Sequence, residues 1–329
     1  MNIFRKCLFV LMILASVCGY SQNIGIIERS VENPPRTIKP ENGLIISWMS
    51  GIVNDSTVDQ VEIFDERGHK TIGLNVLRPV QEAKDVSIYD ITARPDSRIA
   101  VAAVYTSIGN DAHLHITNSL LLFDFSGHLS RVFSLKPPLG VRKLSIDEKG
   151  NIWTLTDNDG DKDPATVPLI VEYSPEAKIK KEVLTRAEFP THAGILKENL
   201  ETGRISMGYD SGVLSVWLPG STDYITVSTG DSKATVTKIQ MPKRANYTEV
   251  PLSRFIRETS GDLVAEFRED GPNDAIDLAY FRWSASKRSW SQFKPGGCEG
   301  ERLEGFSGGR QIYLNYRDER TDICAAPVQ

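Results

Sequence analysis

Short polar turns punctuate the chain at a regular interval, each set between one apolar run and the next. They fall at Glu41-Asn42-Gly43, Asp96-Ser97-Arg98, Glu148-Lys149-Gly150, Thr202-Gly203-Arg204, Ser260-Gly261-Asp262 and Gly308-Gly309-Arg310, about 50 residues apart. Gly, Asn and Asp at such places supply the positive φ that tight hairpins need. The run after each turn is rich in β-branched and aromatic residues and reads as a strand: 44–49, 99–105, 151–156, 205–209, 263–267 and 311–316.

A second hairpin recurs within the interval. Its clearest copy is 120–125, the turn Ser126-Gly127, then 129–135. Further copies are 58–64 with Arg67-Gly68, 169–173 with Pro175-Glu176, 278–283 with Ser286-Lys287 and, more loosely, 224–227 with Thr229-Gly230. No amphipathic helix stands out; 187–200 comes nearest, and Pro190 interrupts it. Each unit thus reads strand, tight turn, strand, longer loop, strand, tight turn, strand. Units of this size with four antiparallel strands predict an all-β fold, a six-bladed β-propeller. A small sheet with two apolar faces cannot hide both alone, and stacking sheets about an axis buries them.

The sixth interval ends after three strands, the innermost strand that follows Cys298 being followed only by 311–316 and 322–328. A strand-like segment, 24–30, is left over at the other end. The expectation is that this N-terminal strand completes the last blade, joining the chain ends and removing an open sheet edge.

The third unit carries a family resemblance. Lys143-Leu144-Ser145-Ile146-Asp147-Glu148-Lys149-Gly150-Asn151-Ile152-Trp153 resembles the D-x-x-G-N-I-W blade core of two-component-regulator and NHL-type propeller repeats. Residues 85–105 resemble the same blade start less closely. The resemblance implies a fold and brings no activity with it. Ser145-x-Asp147 is also similar to a sialidase Asp-box, but its glycine comes one residue too late, and no sialidase is read from it.

The first residues differ in kind from the rest. Arg5 and Lys6 precede an uncharged apolar run, 7–17, and then Cys18, Gly19 and Ser21. This is the layout of a secretory signal peptide over 1–21, followed by one propeller domain over 22–329. The run is short for a membrane span of about 20 residues, and no later stretch is long enough. A lipid anchor would use Cys18, but bulky Val17 stands where a small residue is expected. The protein is expected outside the cytoplasm, secreted or periplasmic, as a monomer. Beyond the leader only Cys298 and Cys324 remain, and an exported chain favours joining them over leaving two buried thiols. Such a bridge would close a loop of about 25 residues, worth roughly 3 to 4 kcal/mol.

Charge narrows the partners. Lys and Arg number 38 against 43 Asp and Glu, a net charge of −5, and loss of the leader makes it two units more negative. No block of basic residues occurs, which excludes nucleic acid as a partner, because phosphate neutralisation needs a concentrated positive surface.

In this strand order the loops between second and third strands, and the connections between sheets, lie on one face, the expected binding face. These loops are 52–57, 107–118, 157–168 and 269–277. In the third, Asp157, Asp159, Asp161 and Asp163 alternate in a way that suits Ca²⁺, a cation preferring oxygen ligands. The EF-hand pattern is not met: Gly160 as its sixth position puts Leu155 at the first ligand site, and the closing Glu is missing. The plainer reading is a solvated loop whose turns need Gly and Asp. His113 and His115 point the same way if extended and suit Zn²⁺ or another transition metal, with Asp111; surface histidines are the simpler reading. Arg142, His192, Arg254 and Arg302 lie at or near the beginnings of innermost strands, around the channel. Together they suit a carboxylate, sulfate or phosphate, unless they pair with the acidic loops. Trp48, Trp153 and Trp283 read as core between sheets, and Trp217 as more exposed.

Gly-x-Ser-x-Gly, His-Glu-x-x-His, a phosphate-binding glycine loop and a dinucleotide fingerprint are all absent from the sequence. The leading functional expectation is a non-catalytic module binding a protein, peptide or glycan on the long-loop face. The alternative is a metal-assisted hydrolase or lactonase at the channel mouth, raised by analogy with calcium-dependent lactonases of the same fold. A third reading is a sensory or assembly component that acts through a membrane partner. No cofactor is expected unless the Asp-rich loop holds Ca²⁺.

Overall fold

The structure is a computed structural model that describes residues 22–28, 37–53, 56–65, 68–76, 83–109, 113–135, 139–158, 167–185, 205–218, 223–240, 242, 254–258, 262–270, 276–296, 298, 302–317 and 320–328. Among these residues 24 strands form six four-stranded antiparallel sheets, and there is no helix.

The first sheet is β2 (Thr37–Glu41), β3 (Leu44–Val53), β4 (Ser56–Asp65) and β5 (Lys70–Asn75). The second is β6 (Asp85–Ala93), β7 (Ile99–Ile108), β8 (Leu114–Phe123) and β9 (Leu129–Ser134). The third is β10 (Leu139–Ile146), β11 (Ile152–Asn158), β12 (Pro168–Tyr173) and β13 (Ile179–Thr185). The fourth is β14 (Ser206–Asp210), β15 (Val213–Leu218), β16 (Asp223–Ser228) and β17 (Lys233–Lys238). The fifth is β18 (Arg254–Arg257), β19 (Leu263–Asp270), β20 (Ile276–Ser284) and β21 (Ser289–Phe293). The sixth orders β22 (Arg302–Ser307), β23 (Arg310–Arg317) and β24 (Arg320–Pro327), and β1 (Gln22–Glu28) pairs antiparallel with β24, Gln22 opposite Ala325.

The first strands of the sheets pack in succession, β2 on β6, β6 on β10, β10 on β14, β14 on β18, β18 on β22 and β22 on β2. That closes a ring of six blades, the all-β propeller expected from the turn spacing. Across the join between the sixth and first blades, the Ser307 hydroxyl donates to the Leu44 carbonyl at 3.0 Å.

Strand alternation explains why the sheets stand on edge around the axis. Ile46, Trp48 and Ile63 bury one face of the first sheet against Val86, Ile91, Ile99 and Val101 of the second. Their neighbour Ile45, pointing the other way, packs with Ile312, Leu314 and Ile323 of the sixth. Adjacent residues therefore serve two separate cores, and a slip of one residue would exchange them.

The motif in the third blade has a local physical cause. Asp147 is buried and accepts from the Lys149 and Asn151 amides at 2.9 Å, the Asn151 side-chain amide at 2.8 Å and the Trp153 indole at 3.1 Å. Gly150 takes φ 76°, the left-handed conformation that lets the chain turn back at low cost. One carboxylate thus closes the turn and fixes the tryptophan that fills the blade. Asp124 accepts from the Ser126 and His128 amides in the same manner, with Gly127 at φ 86°.

The fourth blade corrects the sequence reading. The strand after Thr202-Gly203-Arg204 is β14, the first of its sheet and not the second; the tight turn follows it at Ser211-Gly212, where both residues have positive φ. Trp217 accordingly sits in a second strand, as Trp48 and Trp153 do, and is buried rather than exposed, its ring 6.2 Å from that of Tyr224. Cys298 and Cys324 are joined in a disulfide with Cα atoms 6.5 Å apart, tying the segment before β22 to β24.

Candidate functional site in the axial channel

Three innermost strands carry a β-bulge where they pass the axis. The pairing register skips Tyr89 in β6, Arg142 in β10 and Glu304 in β22. A bulge adds one residue to one strand only and re-aims the side chains around it. Tyr89 and Arg142 are turned onto each other, the guanidinium carbon 4.4 Å from the ring centroid. The residues that follow, Asp90 and Lys143, line the channel.

The channel holds a cavity of about 450 Å³ to which all six innermost strands contribute. Its wall reaches the turns Asn42-Gly43 and Gly308-Gly309, so it extends toward the tight-turn face. The best-connected group is Lys39. Its Nζ donates to Asp90 Oδ2, the Ile91 carbonyl and the Leu144 carbonyl, each at 3.0 Å, and lies 3.6 Å from Glu41 Oε2. Asp90 Oδ2 also accepts from the Leu144 amide at 2.7 Å. Glu41 accepts from the Thr92 hydroxyl at 2.7 Å and the Ser145 hydroxyl at 3.4 Å. These contacts bind the first three blades through their polar centre.

Burial opposes charge here, and the pairings decide the result. Burial alone would lower the Lys39 amine, but the Asp90 and Glu41 carboxylates outweigh it and hold the amine above its ordinary value. Glu41 is pushed up by burial despite the Lys39 charge. Glu258 is also raised by burial, with Arg282, its ion-pair partner, acting against the shift. Lys143 and Arg257 go the other way, burial lowering both.

Among the described residues, the arginines singled out in the sequence have separate partners. Arg142 stacks on Tyr89 as described. Arg302 forks onto Glu266 of the fifth blade, Nη2 donating to Oε1 at 2.6 Å and Nε to Oε2 at 3.1 Å. Burial opposes the Arg302 charge, and the Glu266 carboxylate more than restores it. Arg254 opens β18 and Asp157 lies in β11; their side chains fall outside the described residues, as do His192, Asp159, Asp161 and Asp163 altogether. Among the described residues no three His, Cys, Asp or Glu side chains converge as metal ligands would.

The segment 107–118, expected as a loop, is for most of its length a hairpin made by the ends of β7 and β8. Ile108 pairs with Leu114, Thr106 with Ile116 and Ser107 with His115. Ile108, Leu114 and Ile116 share one face and are 51%, 64% and 64% exposed. His115 lies on the opposite face, and His113 precedes the strand, its carbonyl accepting from the Gly109 amide at 2.9 Å.

The fold and its axial cavity define a six-bladed β-propeller. No family model matches the chain, and no curated protein is recognisably similar to it. Among solved structures it is similar to a protein of Bacteroides fragilis described as exported, at 8% identity and TM-score 0.52 over 94% of this chain and 95% of the other. It also resembles a protein of unknown function from Bacteroides caccae, at 10% identity and TM-score 0.44 over 85% of this chain and 84% of that one. A third is the β-propeller domain of the Trilobed protease from Pyrococcus furiosus, at 11% identity and TM-score 0.45 over 75% of this chain and 71% of that one. At such identities the likeness is one of fold alone.

Proposed function

We infer that this protein is an exported, non-catalytic binding module that recognises a protein or peptide on its long-loop face. One observation carries the reading: the β7–β8 hairpin presents Ile108, Leu114 and Ile116 to solvent side by side. Exposed aliphatic side chains gain little from a sugar or an ion. They gain about 25 cal/mol per Å² when a partner covers them. Export is supported by the leader-like first residues, by the disulfide and by the exported character given for the Bacteroides fragilis protein. The core at 147–153 supports placing the repeats with the NHL and two-component-regulator kind.

The test is a random-peptide display selection on the whole protein, counter-selected on the variant I108S/L114S/I116S. The three side chains are exposed, so the variant is expected to keep its unfolding midpoint. Binders with apolar anchor residues that hold the wild type and release the variant support the reading. A selection that returns no binder, or binders that hold both proteins equally, overturns it.

A further inference from the structure

The charges around the axial cavity do not cancel pairwise. Asp90 and Glu41 are occupied by Lys39, the Leu144 amide and the Thr92 hydroxyl. Glu258 is matched by Arg282 from its own sheet. Two cations on the cavity wall remain, Lys143 from the third blade and Arg257 from the fifth. Neither has a hydrogen bond or ion pair among the described residues, and the Arg257 Nε is buried without a partner. The carboxylates that act on them do so through space: Asp90 and Glu304 on Lys143, Asp210 and Glu41 on Arg257.

The wall beside Arg257 is shaped for a guanidinium. Gly208 of β14 lies against it, and a Cβ at that position would stand 3.2 Å from Arg257 Cδ and 3.3 Å from Nη1. A side chain there would make Arg257 give by a few tenths of an ångström. A buried cation without a hydrogen-bonded counter-charge is costly, and in both side chains burial opposes the charge. The cavity, about 450 Å³, falls within the range of small-molecule sites.

The geometry points to a second binding site in this chain: the axial cavity takes a small organic carboxylate, held by Arg257 and Lys143. The planar fork of Arg257 matches a carboxylate in bidentate fashion, and Lys143 supplies a point charge from another blade. Glu304 and Asp210 on the same wall repel dense negative charge and accept hydrogen bonds. The ligand class is therefore a molecule with one carboxylate and several hydroxyl or ammonium donors, as in a sugar acid or an amino acid. The site does not include the β7–β8 hairpin and stands or falls apart from it.

Isothermal titration of the whole protein tests this with four probes. D-glucuronate and L-serine represent hydroxyl-bearing and ammonium-bearing carboxylates; D-glucose is the uncharged control and citrate the polyanion. One of the two monocarboxylates is expected to bind with one-to-one stoichiometry, and glucose and citrate at least tenfold more weakly. Arg257→Met and Lys143→Met should each weaken that binding at least tenfold, and Gly208→Ala should weaken it too. Where Arg257→Met fails to fold, Lys143→Met carries the test. The bound ligand should also protect the Lys143 amine from reductive methylation, read by mass spectrometry. Failure of both monocarboxylates to bind, undiminished binding to Lys143→Met, or unprotected Lys143 overturns the proposal.

Discussion

Lys39 of β2 and Asp90 of β6 meet at 3.0 Å in the polar centre of the propeller, their side chains 17% and 1% exposed. The same ammonium caps the carbonyls of Ile91 and Leu144, so one side chain spans three blades. A pair this buried contributes little net stability over an apolar substitute for both partners, yet removing one partner alone strands the other. Lys39→Met leaves the Asp90 carboxylate in the interior with the Leu144 amide as its remaining donor. The expected loss is about 3–5 kcal/mol, read by urea unfolding at pH 7. The sign with pH follows from the raised Lys39 value. The folded chain holds this proton more tightly than the unfolded chain, so the contribution is fully present below 10.5, the ordinary lysine value. It is lost as pH rises through the higher folded value, and the gap between wild type and variant should narrow there. A gap that is constant or widens across that range would mean the ion pair is not its source.

Asp147 offers a sharper local test, because four donors converge on one carboxylate. Asp147→Ala leaves two backbone amides and the Trp153 indole without their acceptor in a buried turn. The expected cost is about 3 kcal/mol, with Asp147→Asn losing less because one oxygen acceptor survives. Trp153 fluorescence should report the loosened turn before global unfolding. Equal stability of wild type and Asp147→Ala would remove the physical basis given for the motif.

What could be read from the sequence follows the range of the interactions. The Asp147-to-Trp153 core and the Asp124-to-His128 turn are local, so their residues appear at fixed offsets and reveal the period directly. The fourth blade departs from the expected pattern because its turn, Ser211-Gly212, is only two residues long, and Thr202-Gly203-Arg204 imitates one a strand too early. The channel was harder still. Lys39 and Leu144 are 105 positions apart in the chain, and no local pattern links them. The sequence points to Arg142 while its neighbour Lys143 lines the cavity, and the bulge that separates their directions leaves no mark in composition. The apolar face of the β7–β8 hairpin is written in the sequence as Ile108, Leu114 and Ile116, but the polar residues among them make 107–118 read as a loop.

The disulfide joins the segment before β22 to β24, the two cysteines being 26 positions apart in sequence. Closing a loop of that length restricts the unfolded chain by about 3.5 kcal/mol in the chain-entropy model. Cys298→Ser/Cys324→Ser should lower the unfolding free energy by roughly that amount, and reductant should do the same to the wild type. Reductant should leave the double variant unchanged. Wild type whose midpoint does not move on reduction would show that the bridge does not restrain unfolding.

Lys143 makes the opposite prediction to Lys39, although both amines belong to the same cavity. Burial pulls Lys143 below 10.5; Asp90 draws it partly back, Lys39 pushes it down again, and Glu304 adds a smaller restoring effect. Between its lowered folded value and 10.5 the unfolded chain binds more protons than the folded chain, so stability rises with pH across that window. At neutral pH the cost of the charged amine is present in full. Methionine has a similar length and no charge, so Lys143→Met should stabilise the protein at pH 7 by about 1 kcal/mol, discounted because the side chain is partly exposed. The advantage should shrink as pH approaches 10.5 and vanish above it. Denaturant midpoints at pH 7, 9 and 10.5 measure this, and a variant less stable than wild type at pH 7 would mean Lys143 has a structural partner. A residue that lowers stability and whose loss also abolishes carboxylate binding is one retained for the ligand, since stability alone would select against it.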